Sequence, residues 1–226
     1  MQRLKHNKYK FFIEDKKTLE RVLEDMKDLL QGIWLQRTPL GSTFYYKIIC
    51  IKNKFTKRKY IVEFADYSGE YFNDLCEKNN WTHNNSYFKY VKTCDILFFM
   101  INISDKLYYQ NIYSDYIAVL NLLASSSTDS NQIDKPVCLI FLQSDRIGQN
   151  DDIISEEKIL DDFSRLIQLF ELKCRLFSFY FVSSVGIEAE KFSYPIDRIP
   201  KKVKHSSKNV IEPLIWGLLN LNTIYA

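Results

Sequence analysis

Lys59 to Phe72 reads KYIVEFADYSGEYF. The mostly apolar stretch Ile61 to Ala65 predicts a strand, and it runs out into Asp66-Tyr67-Ser68-Gly69-Glu70. A carboxylate at the carboxyl end of such a strand, with Gly three residues later, suits a metal-phosphate site. Asp66 can hold Mg²⁺ directly or through water, and Gly69 lets its N–H approach a phosphate oxygen. The same residues also make an ordinary Asx-type turn. The order of the segments on either side separates the two readings.

Upstream, Phe44 to Lys52 predicts a strand and Lys54 to Arg58 a polar turn, so an antiparallel hairpin with Lys59 to Ala65 is expected. Before it, Leu19, Val22, Leu23, Met26, Leu29 and Leu30 recur at helical spacing between Lys17 and Gln31, with charges opposite. Tyr9 to Ile13 suggests a short strand or docked extension. Downstream, Tyr71 to Asn79 suggests a short helix and Tyr87 to Lys92 another. Then Cys94 to Ile103, CDILFFMINI, reads as a strand buried on both faces. Leu107 to Leu123 predicts a helix, Pro136 to Leu142 a strand, Ser155 to Glu171 one helix capped by Ser155, and Leu176 to Val182 a strand. Val210 to Leu221 predicts a closing helix with Pro213 in its first turn.

Helices alternating with strands after a hairpin predict an α/β fold: a mainly parallel sheet with one antiparallel hairpin strand and helices on both faces. The boundaries expected are an extension over 1–16 and a single domain over 17–226. In such sheets ligands sit beyond the carboxyl ends of strands. Three of those ends carry polar clusters: Asp66 to Glu70, Gln143 to Asp145, and Ser183 to Gly186.

Composition bounds the rest. The chain has 226 residues, 46% apolar and 26% charged, with net charge +3. That is ordinary for a globular protein and gives no strong field for nucleic acid or an anionic membrane. The basic runs Lys52 to Lys59 and Arg198 to Lys208 read as solvated loops. Five cysteines without a C-x-x-C, three in or beside apolar runs, predict reduced thiols and a cytoplasmic compartment. The three histidines carry no metal-ligand spacing. No apolar run approaches the ~18 residues of a spanning helix. No Ser/His/Asp or Cys/His arrangement emerges from chain order.

Together these segments resemble the P-loop GTPases of the TRAFAC class, and most of all the bacterial GTPase-like domains, over roughly residues 17–222. WLQRTPLGST looks like their first switch, with Thr43 at the Mg²⁺-sensing threonine. ADYSGEYF looks like the second, D-x-x-G-E. There the resemblance implies Asp66 for the Mg²⁺ shell, Gly69 for the γ-phosphate and Glu70 for orienting water. LIFLQSDRIG is similar to the guanine-reading N/T-K-x-D, with Asp145 as the base-binding carboxylate and Gln143 in place of Lys. FVSSVG resembles the S-A-x-G loop, placing Ser183 and Ser184 near the guanine O6. GTP or GDP with Mg²⁺ are the implied ligands. The bland readings stay open beside these: Thr43 as a strand-entry residue, Glu70 as a solvated helix-start carboxylate, Asp145, Ser183 and Ser184 as loop residues.

The same resemblance exposes a gap. G-x-x-x-x-G-K-[ST], whose N–H groups and Lys cradle the phosphates, is not in the sequence, and none of the six glycines stands in that spacing. The resemblance therefore implies an N-terminally incomplete fold without its first strand and P-loop. The chain is expected to be a truncated or degenerate GTPase-like domain, with hydrolysis weak or absent in this chain alone. The alternative expectation is a non-enzymatic module that pairs with a protein partner through an open sheet edge. An unrelated α/β protein is the third.

Overall fold

The computed structural model describes residues 9–30, 43–52, 59–67, 86–103, 109–126, 131–144, 155–183 and 208–224. The chain divides into two compact units, one of Met1–Asn79 with Ser193–Lys202, the other of Asn80–Phe192 with Val203–Ala226. Among the described residues the fold is α/β, with six strands and six helices.

The first unit holds β1 (Tyr9–Phe12), α1 (Lys16–Leu30), β2 (Thr43–Lys52) and β3 (Lys59–Tyr67). The strands form an antiparallel sheet in the order β1-β2-β3. Asp15 starts α1: its Oδ2 accepts from the Thr18 backbone N–H at 2.7 Å, filling one of the donors a helix start leaves open. Thr18 is buried, and its Oγ1 accepts from Lys47 N at 2.9 Å, which ties the helix to β2. Lys47 and Glu63 face each other in the β2–β3 register and pair at 2.8 Å. The amphipathic pattern of α1 does form a helix. Its stripe is not buried as the pattern predicts, however: Leu19, Leu23 and Met26 all stand exposed.

The second unit contains α2 (Ser86–Thr93), β4 (Leu97–Asn102), α3 (Tyr109–Ser125), β5 (Ile133–Leu142), α4 (Glu156–Asp162), α5 (Ser164–Lys173), β6 (Cys174–Val182) and α6 (Glu212–Ile224). Its sheet is parallel, in the order β4-β5-β6. Alternation of side chains along β5 sorts the core into two layers. Phe141 packs on Phe163 and Phe181, while Phe99 meets Tyr116 of α3 and Phe170 of α5 edge-on at 5.0 Å. On the opposite face Cys138, Ile140, Tyr180 and Val182 pack with Phe98, Leu142 and Trp216 of α6. Helices thus cover both faces, as expected. Each fully buried Phe contributes about 1.5–3 kcal/mol by leaving water.

Three expectations change. The single mainly parallel sheet becomes two three-stranded sheets, because the hairpin strands pair with β1 and no described strand joins β3 to β4. The apolar run at β4 is fully buried on one face and only partly on the other: Leu97, Phe99 and Ile101 are buried, Phe98 is half-buried and Met100 is 51% exposed. β5, with a similar run, is buried from Val137 to Phe141. The difference is position, since β5 is central and β4 lies at an edge. Finally, the helix expected from Ser155 to Glu171 is broken at Phe163, whose backbone leaves helical geometry at φ −101 and ψ 9 while its ring is buried.

Two packing details complete the frame. A Cβ on Gly217 would lie 2.7 Å from Ile96 Cδ1, so α6 approaches the start of β4 as closely as only glycine allows. Pro136 has no N–H to give the ladder, and the β5–β6 register shifts between Ile133 and Pro136.

Candidate functional site

The carboxyl ends of β5 and β6 lie side by side. Leu142 pairs with Val182 as the last rung of the ladder, and Ile103 N donates to Leu142 O at 3.4 Å from the other side. One residue beyond that rung, Gln143 takes φ 60. A non-glycine side chain in the left-handed region is uncommon and costs energy. The turn it makes buries Ser144, which is 6% exposed.

Both residues end with unmatched polar atoms. Among the described residues, Gln143 Oε1 and Ser144 Oγ are buried and find no hydrogen-bond partner. A buried oxygen left in that state costs about 1–3 kcal/mol. Native interiors satisfy most such groups, so two in sequence at one strand end call for an explanation.

Across the rung, Ser183 is buried and its backbone is held by the chain that returns at Lys208. Ser183 N donates to Lys208 O at 3.0 Å, and Lys208 N donates to Ser183 O at 2.8 Å. Asn209, at φ 52, donates from Nδ2 to Phe181 O at 3.0 Å. Lys208 Nζ also meets Glu156 Oε1 at 2.5 Å. Both of those side chains are half exposed, so the ion pair adds little beside the backbone bonds. At the start of α4 the Ser155 hydroxyl accepts from Lys158 N at 3.1 Å. The Glu157 carboxyl is held below the usual range by its own backbone N–H and then by Ser155.

Of the residues singled out from the sequence, Gln143 and Ser183 are brought together here. Thr43 and Asp66 meet in the other unit: the register sets Thr43 opposite Tyr67 and Phe44 opposite Asp66, one step apart at one end of the hairpin. Gly69, Glu70, Asp145 and Ser184 lie outside the described residues, as do the side chains of Thr43 and Asp66. Sequence reasoning passed over Ser144. A serine after a strand looks like any turn residue, and only its burial without a partner marks it.

The antiparallel unit has a pocket of about 300 Å³ lined by Glu14, Asp15, Lys47, Ile49 and Ile61. Its charges are already engaged, Lys47 by Glu63 and Asp15 by the start of α1. Among the described residues no group of three or more His, Cys, Asp or Glu stands close enough to hold a metal ion. No described helix is long and apolar enough to cross a membrane. The buried thiols are inert, with burial pushing Cys174 up to about 12 and Cys138 higher still.

At the β5–β6 end, a carboxamide oxygen accepts and a hydroxyl donates or accepts. Neither titrates near neutral pH, so the described part of the site is equipped to bind rather than to move protons. No protein-family model matches the chain, and no curated protein matches it.

Proposed function

We propose that this chain is a GTPase-like domain that keeps the base-binding end of a guanine-nucleotide site and lacks the phosphate cradle. In this reading Gln143, Asp145, Ser183 and Ser184 serve the base. The observation that carries it is the strand-end pair: unmatched buried oxygens on Gln143 and Ser144, one rung from Ser183, at the carboxyl ends of adjacent parallel strands. Ligands sit at such ends in α/β sheets.

The reading also sets the strength of binding. In relatives of the resembled class the phosphate loop supplies most donors to the nucleotide. These 226 residues contain no such loop. Base contacts alone give weak affinity, and hydrolysis is weak or absent. Mg²⁺, when bound, would neutralise phosphate charge.

Calorimetric titration of Mg²⁺-GTP into the purified chain, with Mg²⁺-ATP as control, tests this. Weak binding that favours GTP is expected. No heat of binding at millimolar GTP would end the proposal.

A further inference from the structure

We propose that the exposed stripe of α1 takes the same stripe of a second copy of this chain, with the two helices antiparallel. α1 turns one side inward: Thr18 is buried, Val22 and Asp25 are half-buried, and Thr18 Oγ1 is bonded to Lys47 N of β2. Leu19, Leu23 and Met26 lie on another side, and Leu23 in the middle of them is 55% exposed. Their spacing of four and then three residues makes a straight seam, the pattern by which one helix packs along another. Single exposed apolar residues are ordinary, but an aligned row of them marks a contact surface.

The charges beside the seam choose the occupant. Glu20 and Lys27 each follow a seam residue, both stand exposed, and they lie about two turns apart on the same flank. In an antiparallel pair of helices that flank meets its own copy. With Leu23 set against Leu23 of the second copy, Leu19 lies beside Met26 of the second copy. Glu20 then comes within about 1.5 Å of level with Lys27 of the second copy. The two-fold axis repeats the pair, so the stripe is complementary to itself. A parallel partner would set this flank against the inner flank at Val22, which has no charge to offer. Glu20 also meets Lys16 at 3.6 Å, but both side chains are well exposed and such a pair exchanges easily. A membrane surface fits less well, because Glu20 and Glu24 stand among the exposed lysines where a basic face would be needed. The row of Leu19, Leu23 and Met26 makes an interface below the standard size, so the dimer is weak, with dissociation between about 10 μM and 1 mM. The proposal does not depend on nucleotide binding.

Sedimentation equilibrium of the full chain up to about 1 mM tests it, with wild type, Leu23→Glu, Glu20→Lys and Lys27→Glu. The wild type should show a reversible monomer–dimer equilibrium. Leu23→Glu sets two carboxylates together at the axis and should weaken association about tenfold or more. Its Tm should stay at the wild-type value, since the side chain it replaces is exposed. Glu20→Lys and Lys27→Glu each set like charges across the pair and should weaken association about threefold. An equimolar mixture of the two should recover wild-type association, since one chain then brings two lysines on this flank and the other two glutamates. A wild type that stays monomeric throughout would overturn the proposal, and a lower Tm for Leu23→Glu would then assign the stripe to a contact within the chain. A dimer that Leu23→Glu leaves intact would overturn it by placing the contact elsewhere. A dimer lost in Leu23→Glu but indifferent to both charge variants and their mixture would overturn the antiparallel pairing.

Discussion

The Tyr116 hydroxyl donates to the Met100 carbonyl at 2.5 Å. Ile103 turns its N–H to β5, and peptide groups alternate along a strand, so the Met100 carbonyl points to the opposite side of β4. Tyr116 therefore occupies a group on the strand's outer edge. On the far side of the sheet, Ser183 and Phe181 give their outer groups to Lys208 and Asn209. Edges blocked in this way resist added strands. A partner pairing with the parallel sheet would have to displace these bonds.

Tyr116→Phe keeps the ring packed on Phe99 and removes only the hydroxyl. It should cost about 1 kcal/mol, seen as a fall in Tm of about 2–4 °C. It should also expose the β4 edge and increase self-association, measured by sedimentation at several concentrations. An unchanged Tm together with an unchanged monomer would show that the hydroxyl does not guard the edge.

Gly217→Ala brings a Cβ against Ile96, with the closest approach 2.7 Å to Cδ1. The neighbour is half-buried, and its Cγ2 also lies 2.9 Å from the added Cβ, so turning Cδ1 away does not clear the clash. Destabilisation of about 1–3 kcal/mol is expected. In an Ile96→Val background, where Cδ1 is gone, the same change should cost less. Denaturant unfolding of the four chains gives the coupling directly.

Phe141→Ala and Met100→Ala contrast two apolar strand residues. Phe141 is fully buried between aromatic rings, and its loss should cost about 3–5 kcal/mol. Met100 is 51% exposed, so its truncation should cost about 0.5 kcal/mol or less. Similar losses at both sites would contradict the edge position of β4.

Asp15 is held below its ordinary value, chiefly by the hydrogen bond from the Thr18 backbone N–H. A depressed carboxylate stabilises the fold above its unfolded value of 3.8, and that contribution is lost as pH falls through the lower folded value. Asp15→Asn keeps an oxygen to cap α1 but does not titrate. Stability of the variant should therefore depend less on pH below about 4 than wild type does. Urea unfolding across that range checks the slope.

The helices and strands were largely legible because their periodicity is local. α1, the hairpin, β5 and α6 follow from apolar spacing and from Pro213. Burial was less legible, because it depends on neighbours that spacing does not name. CDILFFMINI and PVCLIFL look alike, yet only the second is fully enclosed on both sides; in the first, Phe98 is half-buried and Met100 exposed. The break at Phe163 was hidden for the same reason: no helix breaker marks it, and its buried ring packs on Phe141 from a strand far off in sequence. At the candidate site, motif order pointed to Gln143 and Ser183. Ser144 needed coordinates, since an unmatched hydroxyl has no signature in the sequence.

In the proposed function a nucleotide base settles at the joined ends of β5 and β6. Amide resonances of the ¹⁵N-labelled chain during titration with Mg²⁺-GTP test it most directly. The account predicts the largest shifts at Gln143, Ser144 and Ser183, with β1 and the amino-terminal halves of β5 and β6 unmoved. Saturable shifts centred elsewhere, on α1 or on the outer edge of β4, with Gln143, Ser144 and Ser183 unchanged, would contradict it.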